Sequence, residues 1–277
     1  IDPKAKAVTV VDQANCVQNL PYDRLIIATG AQSLGSTIAG SDLPGVHLLH
    51  SMADTFRMQQ HLTDQPPRSA VVVGGGYIGL EMADALVHRG VQQVILIVRS
   101  ESVLRTTLSP SVARLVEEEL RRHGVQVIKG TAVGSVEREE SRLTVMGEQG
   151  LRVSADLVLI AVGVRPTTAL ARTADIATGL HEAIRVDREM ATNVPDIYAA
   201  GDCVETWHHL LQRYTYLPLG TTAHKQGRIA GENAVGGHRS FAGSLGTQTV
   251  KVFDLAVART GLLEDEAQRA GFEPAGQ

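Results

Sequence analysis

Short runs of β-branched and aliphatic residues alternate along this chain with longer segments whose apolar positions recur every three or four residues. Val71, Val72 and Val73 form a continuous apolar run, the pattern of a strand buried on both faces. A helical segment follows, with Ile78, Leu80, Met82, Leu86 and Val87 on one side, and then a second run, "VILIV", from Val94 to Val98. This strand–helix–strand order predicts an α/β architecture. Upstream, "AVTVVD" and "RLIIATG" predict two strands joined by the polar loop "QANCVQNLPYD". "SMADTFRMQQHL" predicts a helix, and "TDQPPRS" is a breaker-rich linker. Ser109-Pro110 opens the helix "SVARLVEEELRRHG". Pro110 suits its first turn and Gly124 its stop. "VQVIKG", "AVGSVEREE" and "RLTVMGE" read as short antiparallel strands. "ADLVLIAVG" and "DIYAAGD" read as strands, and "TTAHKQGRIAGENAVGG" as a helix running into a glycine stop.

Composition narrows the class. A length of 277 residues suits about two domains, and 43% hydrophobic residues suffice for an ordinary core. No apolar run approaches the roughly 20 residues needed to span a bilayer, so no membrane partner is expected. No leader pattern is visible, which makes the cytoplasm the expected location. The net charge of −4, with no basic stripe, gives no reason to expect a nucleic-acid partner. Cys16 and Cys203 are too few for a disulfide framework. His208 and His209 lack ligands at metal spacing, so no metal site is expected.

The chemistry concentrates between the two apolar runs, at Gly74-x-Gly76-x-x-Gly79. Gly74 permits a tight turn, Gly76 leaves room for a pyrophosphate, and Gly79 lets the helix pack close to the strand. The free N–H groups at the helix start, around Tyr77 and Ile78, then face the anion. The alternative is a glycine turn with no ligand. A further strand end, Ala28-Thr29-Gly30, allows close backbone approach to a ligand.

Several stretches together resemble the FAD-dependent pyridine nucleotide-disulfide oxidoreductases. They are similar above all to the branch of coenzyme A-disulfide reductases, NADH oxidases and NADH peroxidases. These stretches are "YDRLIIATGAQ", "VVVGGGYIGLEMA", "LIAVGVRPTTALA", "TNVPDIYAAGDCVE", "PLGTTAHKQGRIAGENAVGG" and "VKVFDLAVARTGL". The resemblance implies a Rossmann-like nicotinamide-nucleotide domain, residues 47–164, inserted in a partial FAD-binding domain, residues 1–46 and 165–240. The start of an α+β dimerisation domain would occupy residues 241–277. It also implies that this is the middle of a longer, homodimeric reductase, with a second GxGxxG unit and a redox cysteine lying upstream of Ile1.

The resemblance implies roles as well. Ala28, Thr29 and Gly30 would turn close to FAD. Gly201 and Asp202 would touch the flavin ribityl chain. Thr221, Thr222 and Ala223 would start a helix that points at the flavin pyrimidine edge. Tyr77 would lie over the flavin and Glu81 near it, while Gly163 would approach the nicotinamide. Cys203 is expected to be a buried structural thiol, and no residue of the chain is expected to be catalytic. In "VILIVRSESVLR", Val98 stands where an NAD-selecting acid would stand, and Arg99 and Arg105 follow. The stretch resembles the NADPH-binding segment of glutathione reductases. Gly79 and Glu101 point instead to NAD, so NADP is expected with NAD as the alternative.

The implied activity is hydride transfer from NAD(P)H to FAD and on to a disulfide, persulfide or oxygen-type acceptor. The alternatives are ferredoxin- or rubredoxin-reductase-like electron transfer and a non-catalytic nucleotide-binding fragment.

Overall fold

The computed structural model describes residues 1–274, so the last residues of the expected dimerisation segment lie outside the described residues. The chain divides into two compact units, one of residues 1–32 with 165–246 and one of residues 33–164 with 247–277.

The second unit is built on a five-stranded sheet. Its strands lie in the order Val46–Leu48, Leu157–Ile160, Ser69–Val73, Gln93–Val98 and Gln126–Lys129, and every neighbouring pair is parallel. Side-chain alternation divides the apolar runs between two faces. Ala70, Val72, Leu96 and Val98 pack with Leu80, Ala83 and Leu86 of helix Tyr77–His88 and with Val116 and Leu120 of helix Pro110–Arg122. Val71, Val73, Ile95 and Ile97 pack with Val136, Leu143 and Val145 of an antiparallel three-stranded sheet. Both faces are covered, which is why these strands contain no polar alternation.

Helix Met52–Asp64 starts in a capping box made by Ser51 and Asp54 and buries Met58. The hairpin of Gln248–Val252 and Leu255–Arg259 adds Val250, Val252 and Phe253 to the helix-side core.

The first unit holds the parallel pair Leu25–Ile27 and Ile197–Ala199, covered by helix Gly220–Ala234. Its core gathers Ile27, Ile184, Met190, Ile197, Ala199, Cys203, Ile229 and Phe241. Two hairpins complete it: Ala7–Val11 with Val17–Pro21, and Thr206–His208 with Arg213–Thr215.

Three expectations need correction. The loop "QANCVQNLPYD" contains the strand Val17–Pro21, all five of whose residues are exposed, so no apolar alternation marks it. Gln126–Lys129 is not antiparallel but a parallel edge strand beside Gln93–Val98. Ile78 is 41% exposed and lies off the buried face of its helix, which Leu80, Ala83 and Leu86 form instead. None of the helices of the described residues is long and apolar enough to cross a membrane.

Candidate functional site

In the second unit, the strand Ser69–Val73 ends at Gly74, whose N–H donates to the Ile97 carbonyl at 2.8 Å. Gly74 has φ +119°, and a Cβ there would overlap the Ala161 carbonyl oxygen. Only glycine tolerates that combination. A Cβ on Gly79 would overlap the Gly74 carbonyl oxygen, so the third glycine lets the helix lie against the turn. Gly76 has open space where a Cβ would stand. It is the N-cap of helix Tyr77–His88 and offers no side-chain acceptor, and there is no acid in the first turn. The first amides of the helix therefore meet neither a capping side chain nor a first-turn carboxylate, an arrangement that can take a phosphate.

The segment after Val98 is fixed rather than loose. Leu104 adopts φ +48°, and its N–H donates to the Gly75 carbonyl at 2.8 Å, tying residues 99–105 to the glycine turn. Val103 and Leu104 are buried, while Arg99 and Arg105 on either side are exposed. Neither arginine has an ion-pair partner among the described residues. Glu101 is turned towards Gly130: a Cβ on that glycine would stand 2.7 Å from its carboxylate oxygen. Val98, at the strand end, packs over Gly75.

Tyr77 is half-buried. Burial raises its phenol pKa, opposed by a hydrogen bond with Thr107 and by the Arg259 charge. Glu81 is exposed. Gly163, at φ +103°, accepts from the Leu34 N–H at 2.9 Å.

In the first unit, the parallel pairing of Leu25–Ile27 with Ile197–Ala199 sets two strand ends side by side. Ala28-Thr29-Gly30 leaves one and Ala200-Gly201-Asp202 the other. Gly30, at φ +65°, has open space where a Cβ would stand. Thr29 donates to the Thr167 carbonyl at 2.5 Å, and the Thr167 N–H donates to the Gly30 carbonyl at 2.9 Å. Gly201, at φ +89°, donates its N–H to Gln226 Oε1 at 3.1 Å. Gln226 is fully buried and passes its amide N–H to Thr206 Oγ1 at 3.2 Å.

Helix Gly220–Ala234 begins without a side-chain cap at Leu219, and the Thr222 and Ala223 N–H groups both donate to the Leu219 carbonyl at 2.9 Å. Thr222 is buried and its hydroxyl bonds Ser244, whereas Thr221 is exposed. The Asp202 carbonyl accepts from the Tyr216 hydroxyl at 2.9 Å. Burial pushes that phenol strongly up, and the Asp202 charge adds to the shift. Cys203 is fully buried, with Sγ 3.3 Å from the Ala200 carbonyl oxygen. Burial raises its thiol, keeping it protonated and inert.

Two residues that sequence reasoning missed hold these turns. Gln226 lies among the polar positions of a helix, and only its complete burial distinguishes it. Leu104 carries a positive φ that its residue type does not announce.

The chain belongs to the pyridine nucleotide-disulphide oxidoreductase family, whose model matches residues 1–227. It is similar to the CoA-dependent NAD(P)H sulfur oxidoreductase of Pyrococcus furiosus, with 38% identity over 91% of this chain and 56% of that protein. The chain thus spans about half the length of the curated relatives it matches.

Among solved structures it is similar to an NAD-dependent persulfide reductase from A. fulgidus. The TM-score is 0.92 at 36% identity, covering 99% of this chain and 50% of that one. It is also similar to the water-forming NADH oxidase of Lactobacillus brevis bound to NADH, with TM-score 0.90 and 29% identity over 98% of this chain and 60% of that one. An engineered water-forming NADPH oxidase derived from that enzyme, bound to NADPH, matches at TM-score 0.90 and 30% identity over the same shares. That variant carries five substitutions. One is glycine to alanine. The others replace an aspartate by alanine, the next residue by arginine, the next by serine, and the residue seven positions after the aspartate by arginine.

Proposed function

We propose that this chain is part of a flavin-dependent reductase that takes its electrons from NADPH. The observation that carries the reading is the run Val98-Arg99-Ser100 with Arg105 seven positions after Val98. It has the spacing of the four strand-end substitutions that distinguish the engineered NADPH oxidase from its NADH-using parent. An uncharged residue at Val98 does not repel a 2′-phosphate, and two guanidinium groups suit a phosphate dianion through forked hydrogen bonds. The Leu104–Gly75 hydrogen bond supports the same reading, because it fixes Arg105 relative to the glycine turn. So does the turning of Glu101 towards Gly130, which removes the candidate ribose acceptor.

The empty Cβ positions at Gly76 and Gly30 and the uncapped helix starts fit the two cofactors. Gly74, Gly76 and the amides of Tyr77, Ile78 and Gly79 would hold the pyrophosphate of NADPH. Arg99 and Arg105 would hold its 2′-phosphate, and Gly163 would pass near its nicotinamide half. Ala28, Thr29, Gly30, Gly201 and Asp202 would line FAD, with the helix start at Thr221–Ala223 adding partial positive charge. Residues 1–46 and 165–240 would be the FAD-binding part, residues 47–164 the nucleotide domain and residues 241–277 the start of a dimerisation domain. When bound, the nicotinamide supplies a hydride and the flavin accepts it and passes electrons on, while the protein aligns them. A persulfide or disulfide is the proposed acceptor, and a cytoplasmic homodimer the proposed working form.

The test is a titration of NADPH and NADH against wild type and the Arg99→Ala/Arg105→Ala double variant. Charge-assisted contacts contribute about 1.5–3 kcal/mol each when sheltered, and less at exposed positions through screening. NADPH affinity should fall by about tenfold or more, with NADH affinity unchanged. Equal loss for both nucleotides would remove the reading.

A further inference from the structure

Helix Tyr77–His88 and helix Pro110–Arg122 run beside the tip of the hairpin Gln248–Arg259. Beyond the glycine turn and the arginines, this place gathers the second unit's densest set of ligating side chains. The Phe253 N–H donates to Asp84 Oδ2 at 2.7 Å, and the Asp254 N–H donates to Glu119 Oε1 at 3.2 Å. Phe253 is buried at φ +51° and stacks on His123 with ring centroids 4.0 Å apart and planes 4° from parallel. His123 Nε2 lies 3.2 Å from Glu119 Oε1. One ligating atom from each of Glu119, His123 and Asp254 lies within 4.8 Å of the other two.

We propose that Glu119, His123 and Asp254 form a binding site for a divalent transition-metal ion of the Zn2+ class, joining the hairpin tip to the second helix of the nucleotide unit.

The donor set is mixed, one imidazole and two carboxylates, which suits zinc with water completing the shell. Tetrahedral metal–ligand bonds of about 2.0–2.2 Å set ligand atoms about 3.3–3.6 Å apart. The exposed Asp254 side chain therefore has to close by up to about 1.5 Å from the 4.8 Å limit of the cluster. The imidazole is already aimed, since the Phe253 stack fixes its plane and the i,i+4 spacing on the helix sets Nε2 beside Glu119. Glu119 Oε2 keeps Arg122 at 2.6 Å, and Oε1, which accepts the Asp254 N–H at 3.2 Å, would turn its second lone pair to the ion. Of the three carboxylates here, Glu119 pairs with Arg122 at 2.6 Å and Asp84 with His88 at 2.5 Å, which leaves Asp254 as the one without an ion-pair partner among the described residues. Binding needs the His123 tautomer with its proton on Nδ1, because Nε2 must offer its lone pair to the metal.

The experiment is a zinc chloride titration of the full chain, stripped with chelator and followed by competition with a chromophoric zinc indicator. Asp254→Asn keeps the shape and His123→Ala removes the nitrogen donor. Neither residue is fully buried, so both variants should fold. The wild type should bind one Zn2+ per chain at micromolar or lower Kd. Each variant should bind at least tenfold more weakly, and zinc should slow amide exchange at Phe253 and Asp254. Absence of micromolar binding overturns the site. So does binding that stays within threefold in either variant, which would place the ion on others of the ten histidines.

Discussion

Replacing Gln226 by methionine keeps the length of the side chain and removes both of its hydrogen bonds. Gln226 is fully buried, and its two partners are the Gly201 N–H at 3.1 Å and the Thr206 hydroxyl at 3.2 Å. Thr206 is itself 1% exposed, so water does not replace the lost partner there. Each stranded buried group costs about 1–3 kcal/mol. Removing the buried amide itself returns part of that, because an apolar side chain needs no partner. The expected net loss is about 1–4 kcal/mol.

The single tryptophan makes the assay specific. Trp207 is the residue after Thr206, in the same unit, and its ring meets Tyr214 edge-on at 5.2 Å. Urea unfolding followed by its fluorescence reports the unit that contains Gln226. With a slope of about 1–3 kcal/mol per molar urea, a loss of about 2 kcal/mol shifts the midpoint by roughly 1 M. A midpoint unchanged within about 0.2 M at equal slope would show that the Gly201 turn stands without Gln226, and would refute the reasoning.

Burial holds His47 down at about 4, with the charges of His61 and Arg57 adding to the depression and Asp54 opposing it; its Nε2 meets His61 Nδ1 at 2.7 Å. A base depressed on folding contributes stability that is full above its unfolded pKa, near 6.5, and lost as pH falls towards 4. His47→Gln should therefore flatten the stability–pH curve between those values in circular-dichroism melts, and an unchanged slope would contradict it. Gly74→Ala forces a Cβ into the Ala161 carbonyl at positive φ. It should lower stability by about 1–3 kcal/mol or more and abolish measurable nucleotide binding by calorimetry, whereas retention of wild-type affinity would count against the turn.

The parts legible from sequence are those whose burial is one-dimensional. Val71–Val73 and Val94–Val98 read as strands because both faces of the sheet are covered and every position is apolar. Pro110 and Gly124 bracketed a helix that forms from Pro110 to Arg122. The strand Val17–Pro21 was illegible because none of its side chains is buried, so only its backbone pairing with Ala7–Val11 defines it. Gln126–Lys129 showed strand character but not direction. Its parallel pairing depends on Gln93–Val98, some thirty residues earlier, and not on the hairpin that follows it. At the candidate site, the glycines and arginines stood out by type and spacing. Leu104 and Gln226 did not, because their importance lies in one hydrogen bond to a distant turn.

The structure of the chain in complex with NADPH tests the central claim most directly. The account predicts pyrophosphate oxygens within about 3 Å of the backbone N–H groups at Tyr77–Gly79, and the 2′-phosphate between the guanidinium groups of Arg99 and Arg105. An adenosine ribose lying out of reach of both arginines, or a pyrophosphate away from the glycine turn, would contradict it.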